Sequence, residues 1–255
     1  MTLPVFLIDF TELPEVGATV TIDGPEAKHI GVRRLGIGEL IGLTNGADGY
    51  LEAEIRSIAG SGNSMTVACD VAVSSIAQRP GPHVTVVQAL PKSDRAELAV
   101  DLMTEVGVDC IIPWSARNCV AKWVGNKQEK ARQKWAHSAR EAAKQARRAW
   151  IPPVLELHDT HGVVKRAQEC IAGGGMVAVL HESASAPFAE FAAQARDCDE
   201  VMFIVGPEGG VDPTEVEQFA EIGAHTLVLG PTVLRTALAG ASAISALGPL
   251  TNRWP

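Results

Sequence analysis

Two hydrophobic patterns divide the chain. Up to about residue 75, apolar and polar residues alternate in short segments, VFLIDF, ATVTID, ELIGLTNGADGYLEAEIRSI and SMTVACDVAV, as in strands with one buried face. The pairs Asn45-Gly46 and Asp48-Gly49 predict a hairpin tip between Ile41 and Tyr50, and a helical turn is expected around Glu26 to Leu35. Residues 1–73 therefore read as a small β-rich domain. The stretch SSIAQRPGPH, 74–83, is polar and broken by Pro and Gly, as a linker is. In 84–255 short, wholly apolar runs alternate with helical segments: VTVVQAL, a helix from about Ser93 to Val106, CIIPW, a basic helix, a helix near Val163 to Ile171, MVAVLHE, a short helix, VMFIV, a helix over Pro213 to Glu221, TLVLG and a last helix from about Val233 to Leu247. Apolar runs of that length are strands buried on both faces, so the class is α/β with a mostly parallel sheet.

In such a sheet ligands bind beyond the carboxyl ends of the strands. Three strand ends carry bare or singly polar loops: Leu180-His181-Glu182 after MVAV, Gly206-Pro207-Glu208-Gly209-Gly210 after VMFIV, and Leu229-Gly230 through Leu234, Arg235 and Thr236 after TLVL. Glycines there can let a ligand lie against main-chain groups, or can simply reverse the chain. Beyond the second loop, Asp212 as N-cap, Pro213 at the first helical position and Glu215 two residues later form a plain capping arrangement.

The 255 residues are 46% hydrophobic with a net charge of -8, and there is no run of eighteen apolar residues and no basic leader. A membrane span and a signal peptide are therefore not expected, and the location expected is cytoplasmic. Cys69, Cys110, Cys119, Cys170 and Cys198 form no CxxC pair, so reduced structural thiols are expected, and no metal. The charge is unevenly spread. From Arg117 to Arg148 ten Lys or Arg face only Glu129 and Glu141, a one-signed strip that suits a phosphate backbone better than a mixed solvated face.

The order and spacing of KHIGVRRLGIGE, KSDRAELAVDLMTEVGVDCIIPWSARN, REAAKQARR, the HE after a strand, GPEGGVDPTEVE and LGPTVLRTALAGASAISAL resemble the SPOUT methyltransferases and, within them, the RsmE-like enzymes. The likeness spans the chain. GPEGG followed by LGPxxLRT is its most specific part. One departure is that Ala237 and Leu238 follow LRT, where the family commonly has an acidic residue.

The resemblance implies an α/β domain with a trefoil knot, a PUA-like N-terminal β-barrel, and methylation of N3 of a uridine in 16S ribosomal RNA of the small subunit. It implies S-adenosylmethionine held by Leu180, His181, Glu182, Gly206, Pro207, Glu208, Gly209, Gly210, Leu229, Gly230, Leu234 and Thr236. Glu208 either holds the ribose or fixes its loop. Methylating N3 needs a proton removed and charge on O2 and O4 stabilised. Arg235 is the candidate donor, unless it pairs with a carboxylate. Glu105, or His181 with Glu182, is a possible base. RNA contacts are expected from Arg33 and Arg34, and from Arg117, Lys122, Arg140, Lys144 and Arg147, with Trp123, Trp135 and Trp150 packed or stacking. The last helix is almost free of bulk, which with the resemblance predicts a homodimer through it. The rivals are a nucleotide-dependent oxidoreductase, disfavoured because no GxGxxG opens the first βα unit, and a non-catalytic RNA-binding factor.

Overall fold

A computed structural model describes residues 3–92, 95–184 and 186–254. They form two compact units, 1–78 with 143–151, and 79–142 with 152–255.

The first unit holds β1 (Val5–Leu7), β2 (Thr19–Ile22), α1 (Gly24–Val32), β3 (Leu40–Thr44), β4 (Gly49–Ala59) and β5 (Thr66–Ile76). Its sheet runs β1-β3-β4-β5-β2. The hairpin falls where the sequence puts it, with Thr44 opposite Tyr50. Asn45 Oδ1 accepts the N–H groups of Ala47, Asp48 and Gly49 at 3.0, 3.2 and 3.0 Å, and Gly46 takes φ +76°, the left-handed conformation such tips need. Phe6, Ile30, Ile41, Leu43, Leu51 and Ile55 are fully buried.

Two boundaries differ from the sequence reading. Ser74–Ile76 belong to β5, where Ser74 Oγ donates to Pro14 O at 2.6 Å, so the linker is shorter than 74–83. The segment 143–151, expected in the C-terminal domain, clusters with the first unit. Thr44 Oγ1 donates to Ala149 O, Ile151 N donates to Gly46 O at 2.8 Å, and Lys144 Nζ meets Glu26 Oε1 at 2.6 Å. These contacts join residues about a hundred positions apart, beyond the reach of local periodicity.

The second unit contains β6 (His83–Ala89), α2 (Ala96–Glu105), β7 (Cys110–Trp114), most of α3 (Asn126–Gln145), α4 (Thr160–Ala172), β8 (Met176–Leu180), β9 (Ala186–Pro187), α5 (Phe188–Ala195), β10 (Glu200–Val205), α6 (Pro213–Glu221), β11 (His225–Val228) and α7 (Thr236–Leu247). The start of α2 expected at Ser93 lies outside the described residues. The sheet order is β7-β6-β10-β8-β11-β9, and every neighbouring pair is parallel. The two-residue β9 has no periodic signal. Trp114, Met103, Phe203 and Phe219 fill the core. Trp135 is buried and packs edge-on against Trp123, with ring centroids 5.0 Å apart.

The bare helix α7 has a cover within its own chain. A Cβ at Gly240 would stand 2.7 Å from Met103 Sδ of α2 and 3.3 Å from Val86 Cγ1 of β6. The lack of bulk at Gly240 therefore serves close packing of α7 on α2 and the sheet, and is not itself a sign of a partner subunit.

All five cysteines are free. Burial pushes Cys110 up to about 11 and Cys170 up to about 12, so both stay protonated and unreactive at neutral pH.

Candidate cofactor pocket

Because β8, β10 and β11 are parallel neighbours, their carboxyl ends share one edge of the sheet. The three loops found there in the sequence line one cavity of about 460 Å³, a size typical of small-molecule sites. Leu180, His181 and Glu182 come from the first loop, Gly206, Pro207, Glu208, Gly209 and Gly210 from the second, and Leu229, Leu234, Arg235 and Thr236 from the third. Gly230 is not part of the lining. Glu105 is exposed at the end of α2 and does not line the cavity either, so the structure does not bring it to the site.

The four glycines are bare for different reasons. Gly210 and Gly230 have φ of +76° and +116°, and a Cβ on either would meet nothing within 4 Å; the backbone angle is what excludes a side chain. Gly206 and Gly209 are bare because the protein fills the space. Their Cβ positions lie 2.6 Å from Val211 Cγ2 and 3.2 Å from Asn118 Cβ.

Side chains fasten the second loop from every side. Glu208 Oε1 accepts Lys92 N at 3.1 Å, so this carboxylate fixes the loop to the segment after β6. Asn118 Nδ2 donates to Gly210 O at 3.2 Å. Thr236 Oγ1 donates to Gly206 O and accepts Gln88 Nε2 at 3.2 Å. Past the loop, Asp212 and Glu215 form the expected capping box on α6, and the Thr214 hydroxyl is the main cause that holds the Asp212 carboxyl below its usual range. Glu215 does more than cap. It is buried and also accepts Arg117 N at 3.0 Å and Thr160 Oγ1 at 2.6 Å, which joins the β7–α3 loop and the start of α4 to the same corner.

The cavity carries two guanidinium groups, Arg95 and Arg235, with the carboxylates of Glu182 and Glu208. Arg235 makes no salt bridge among the described residues. His181 Nδ1 accepts Ser183 N at 3.2 Å, an arrangement that in the neutral ring puts the proton on Nε2. Sequence reasoning passed over Arg95 and Gln88. Gln88 lies within the strand VTVVQAL, one residue before the end of β6, and Arg95 follows that strand, so the strand-end rule applied to the other three strands would have reached this one too.

In the second unit Lys122, Lys127, Lys130 and Arg140 are exposed and make no ion pair among the described residues. Other cations of the strip are engaged. Arg132 pairs with Glu129 at 2.7 Å, Lys134 with Glu97 at 2.6 Å, and Arg117 with Asp212 at 3.2 Å. In the first unit Arg33, Arg34 and Arg147 are exposed, and Arg148 lies over the Trp150 ring at 5.4 Å. Lys144 differs from expectation: its pair with Glu26 leaves each side chain only 13% exposed, so its charge is committed inside the fold.

Residues 78–248 match the model of the RNA methyltransferase domain. The chain is 40% identical to ribosomal RNA small subunit methyltransferase E of Mycobacterium bovis, over 100% of this chain and 94% of that protein. It is 31% identical to the Bacillus subtilis protein of the same name, over 93% of each. Among solved structures, Lpg2936 of Legionella pneumophila, described as a methyltransferase with its cofactor SAM bound, superposes with a TM-score of 0.79 at 25% identity, covering 98% of both chains. A pocket at the strand ends, a family model over the whole α/β unit and full-length relatives agree, and the chain belongs to the RNA methyltransferase family, alongside the ribosomal RNA small subunit methyltransferase E proteins.

Proposed function

We propose that the protein is an S-adenosylmethionine-dependent methyltransferase acting on N3 of a uridine in 16S ribosomal RNA of the small subunit. The observation that carries this is the 460 Å³ cavity walled by the three strand-end loops; an RNA-binding factor without activity has no use for it. S-adenosylmethionine supplies an electrophilic methyl group on a sulfonium. The open main chain at Gly210 suits the adenine and ribose, and Leu180, Leu229 and Leu234 give apolar walls. His181 Nε2–H is a donor for the cofactor's hydroxyl or carboxylate oxygens. Arg235 lines the cavity at the start of α7 and makes no salt bridge among the described residues, which supports it as the donor to the substrate.

The finer features of the family likeness are part of the same reading: a trefoil knot in the chain segment that carries the second and third loops, a PUA-like barrel in 1–78, phosphate contacts from Lys122, Lys127, Lys130 and Arg140 in one unit and Arg33, Arg34 and Arg147 in the other, a cytoplasmic location and a homodimer. Among the described residues no helix is long and apolar enough to cross a membrane. For the dimer, the support is the family likeness together with Leu98 of α2 and Leu238 of α7, which are 49% and 42% exposed.

The test is calorimetry with S-adenosylhomocysteine, followed by incubation of small-subunit rRNA with labelled S-adenosylmethionine and mass spectrometry of its nucleosides. Binding together with labelled N3-methyluridine is the expected result. Binding with the label on another atom would keep the enzyme and overturn the target, and no binding would overturn both.

A further inference from the structure

Resting on N3 of uridine as the acceptor, we propose that Arg95 is a second catalytic cation, which takes one uracil oxygen while Arg235 takes the other. The argument starts from the acceptor. Once its proton has left to solvent water, N3 holds its lone pair in the ring plane, pointing out between O2 and O4. The methyl group must arrive along that line. As the N3–C bond forms, the S–C bond breaks, its electron pair returns to sulfur, and uracil anion and sulfonium cation give neutral methyluridine and thioether.

Until then the negative charge rests mainly on O2 and O4, which stand on either side of N3. A guanidinium fork matches two oxygens of one carboxylate. O2 and O4 are much further apart, and a fork set to bridge them would stand where the methyl group has to come. One arginine therefore cannot serve both. Each oxygen needs its own donor, approaching from its own flank.

The cavity has two such donors from two walls. Arg235 is the N-cap residue of α7 and Arg95 the N-cap residue of α2, and no other Lys or Arg lines the cavity among the described residues. Both helices follow strands of the same parallel sheet, so both start at its carboxyl edge. The Arg95 segment is also held in place: Arg95 N donates to Lys92 O at 2.9 Å, and Lys92 N donates to Glu208 Oε1 at 3.1 Å. Glu208 thereby ties Lys92, and through its carbonyl Arg95, to the Gly206–Gly210 wall. Two cations and two helix N-termini at one edge favour the deprotonated uracil, which lowers the demand for a strong base.

Arg95→Ala and Arg95→Lys are compared with wild type for S-adenosylhomocysteine affinity, for the single-turnover methyl-transfer rate at saturating small-subunit rRNA, and for the dependence of that rate on pH. Melting curves check that both variants fold. Expected are a cofactor affinity within about twofold of wild type and a rate lower by about 100- to 1000-fold, as for loss of one transition-state donor. The rate profile should move to higher pH, because the uracil proton becomes harder to remove, and Arg95→Lys should recover part of both. An unchanged rate overturns the proposal. Loss confined to RNA affinity, with a shallower salt dependence, makes Arg95 a phosphate ligand, and loss of S-adenosylhomocysteine binding makes it a cofactor ligand; either overturns the proposal too. N3-methyluridine made by wild type in the same assay separates this failure from failure of the functional reading.

Discussion

Two of the loops that wall the cavity are built in opposite ways. The wall at 206–210 is fastened by Lys92 N, Asn118 Nδ2 and Thr236 Oγ1, and its base is held by buried Glu215. The wall at 230–235 is loose. Pro231, Thr232, Val233 and Arg235 are exposed, Val233 at 75%, and residues 230–234 make no hydrogen bond among the described residues. A loop with few partners opens at low cost in free energy, whereas one bonded on all sides opens only with the fold around it. One wall is thus set before any ligand arrives. The other is expected to gain its partners from what binds, as would suit a site that admits and releases a cofactor on every turnover.

The strongest way to break this contrast is at Glu215. Truncation by Glu215→Ala removes the acceptor of Arg117 N, Thr160 Oγ1 and Asp212 N, each unmet buried donor costing roughly 1–3 kcal/mol and the losses not adding fully. A fall in unfolding free energy of about 3 kcal/mol is expected by urea titration, together with loss of S-adenosylhomocysteine binding. A drop below about 1 kcal/mol, within the range of ordinary substitutions, would mean that the corner is not what holds the wall.

How much of this contrast is legible in the sequence depends on the range of the interaction. The strands, helix α6 with its cap, and the three loops come from local periodicity and turn chemistry, which the chain prints within windows of about ten residues. The fastening does not. Lys92 and Glu208 are 116 residues apart, and Gln88 and Thr236 are 148 apart, and nothing in either segment announces the other. The same blindness hides that a Cβ at Gly209 would meet Asn118 and one at Gly240 would meet Met103. A bare residue in a sequence shows that something comes close without showing what. Composition misled in a similar way at Lys144, where counting charges on one helix could not reveal Glu26 on another.

A smaller effect separates the walls directly. Both Gly210 and Gly230 have left-handed or still rarer backbone angles, so Gly→Ala strains either, by roughly 1–2 kcal/mol if the angle is kept. In the fastened wall it must be kept. Gly210→Ala should therefore lower stability by about that amount and weaken S-adenosylhomocysteine binding several-fold. In the loose wall the chain can relax, so Gly230→Ala should leave the melting temperature nearly unchanged although its φ of +116° is the more unusual. Equal losses at the two sites would show that the third loop is as constrained as the second.

The smallest expected effect concerns Val233, which lines the cavity and is nevertheless 75% exposed. A large apolar side chain left open beside a ligand site makes sense if the ligand covers it. Val233→Ala removes little from the folded protein in isolation, so stability should change by less than about 0.5 kcal/mol. If the bound cofactor buries the side chain, affinity should fall by about 0.8 kcal/mol, roughly fourfold, for each methyl lost from the contact. Hydrogen exchange gives the independent check: S-adenosylhomocysteine should slow the amides of 230–235 strongly and those of 206–210 hardly at all. The opposite pattern, or an affinity unmoved by Val233→Ala, would mean that the third loop stays open over the bound cofactor and that the walls do not divide the work in this way.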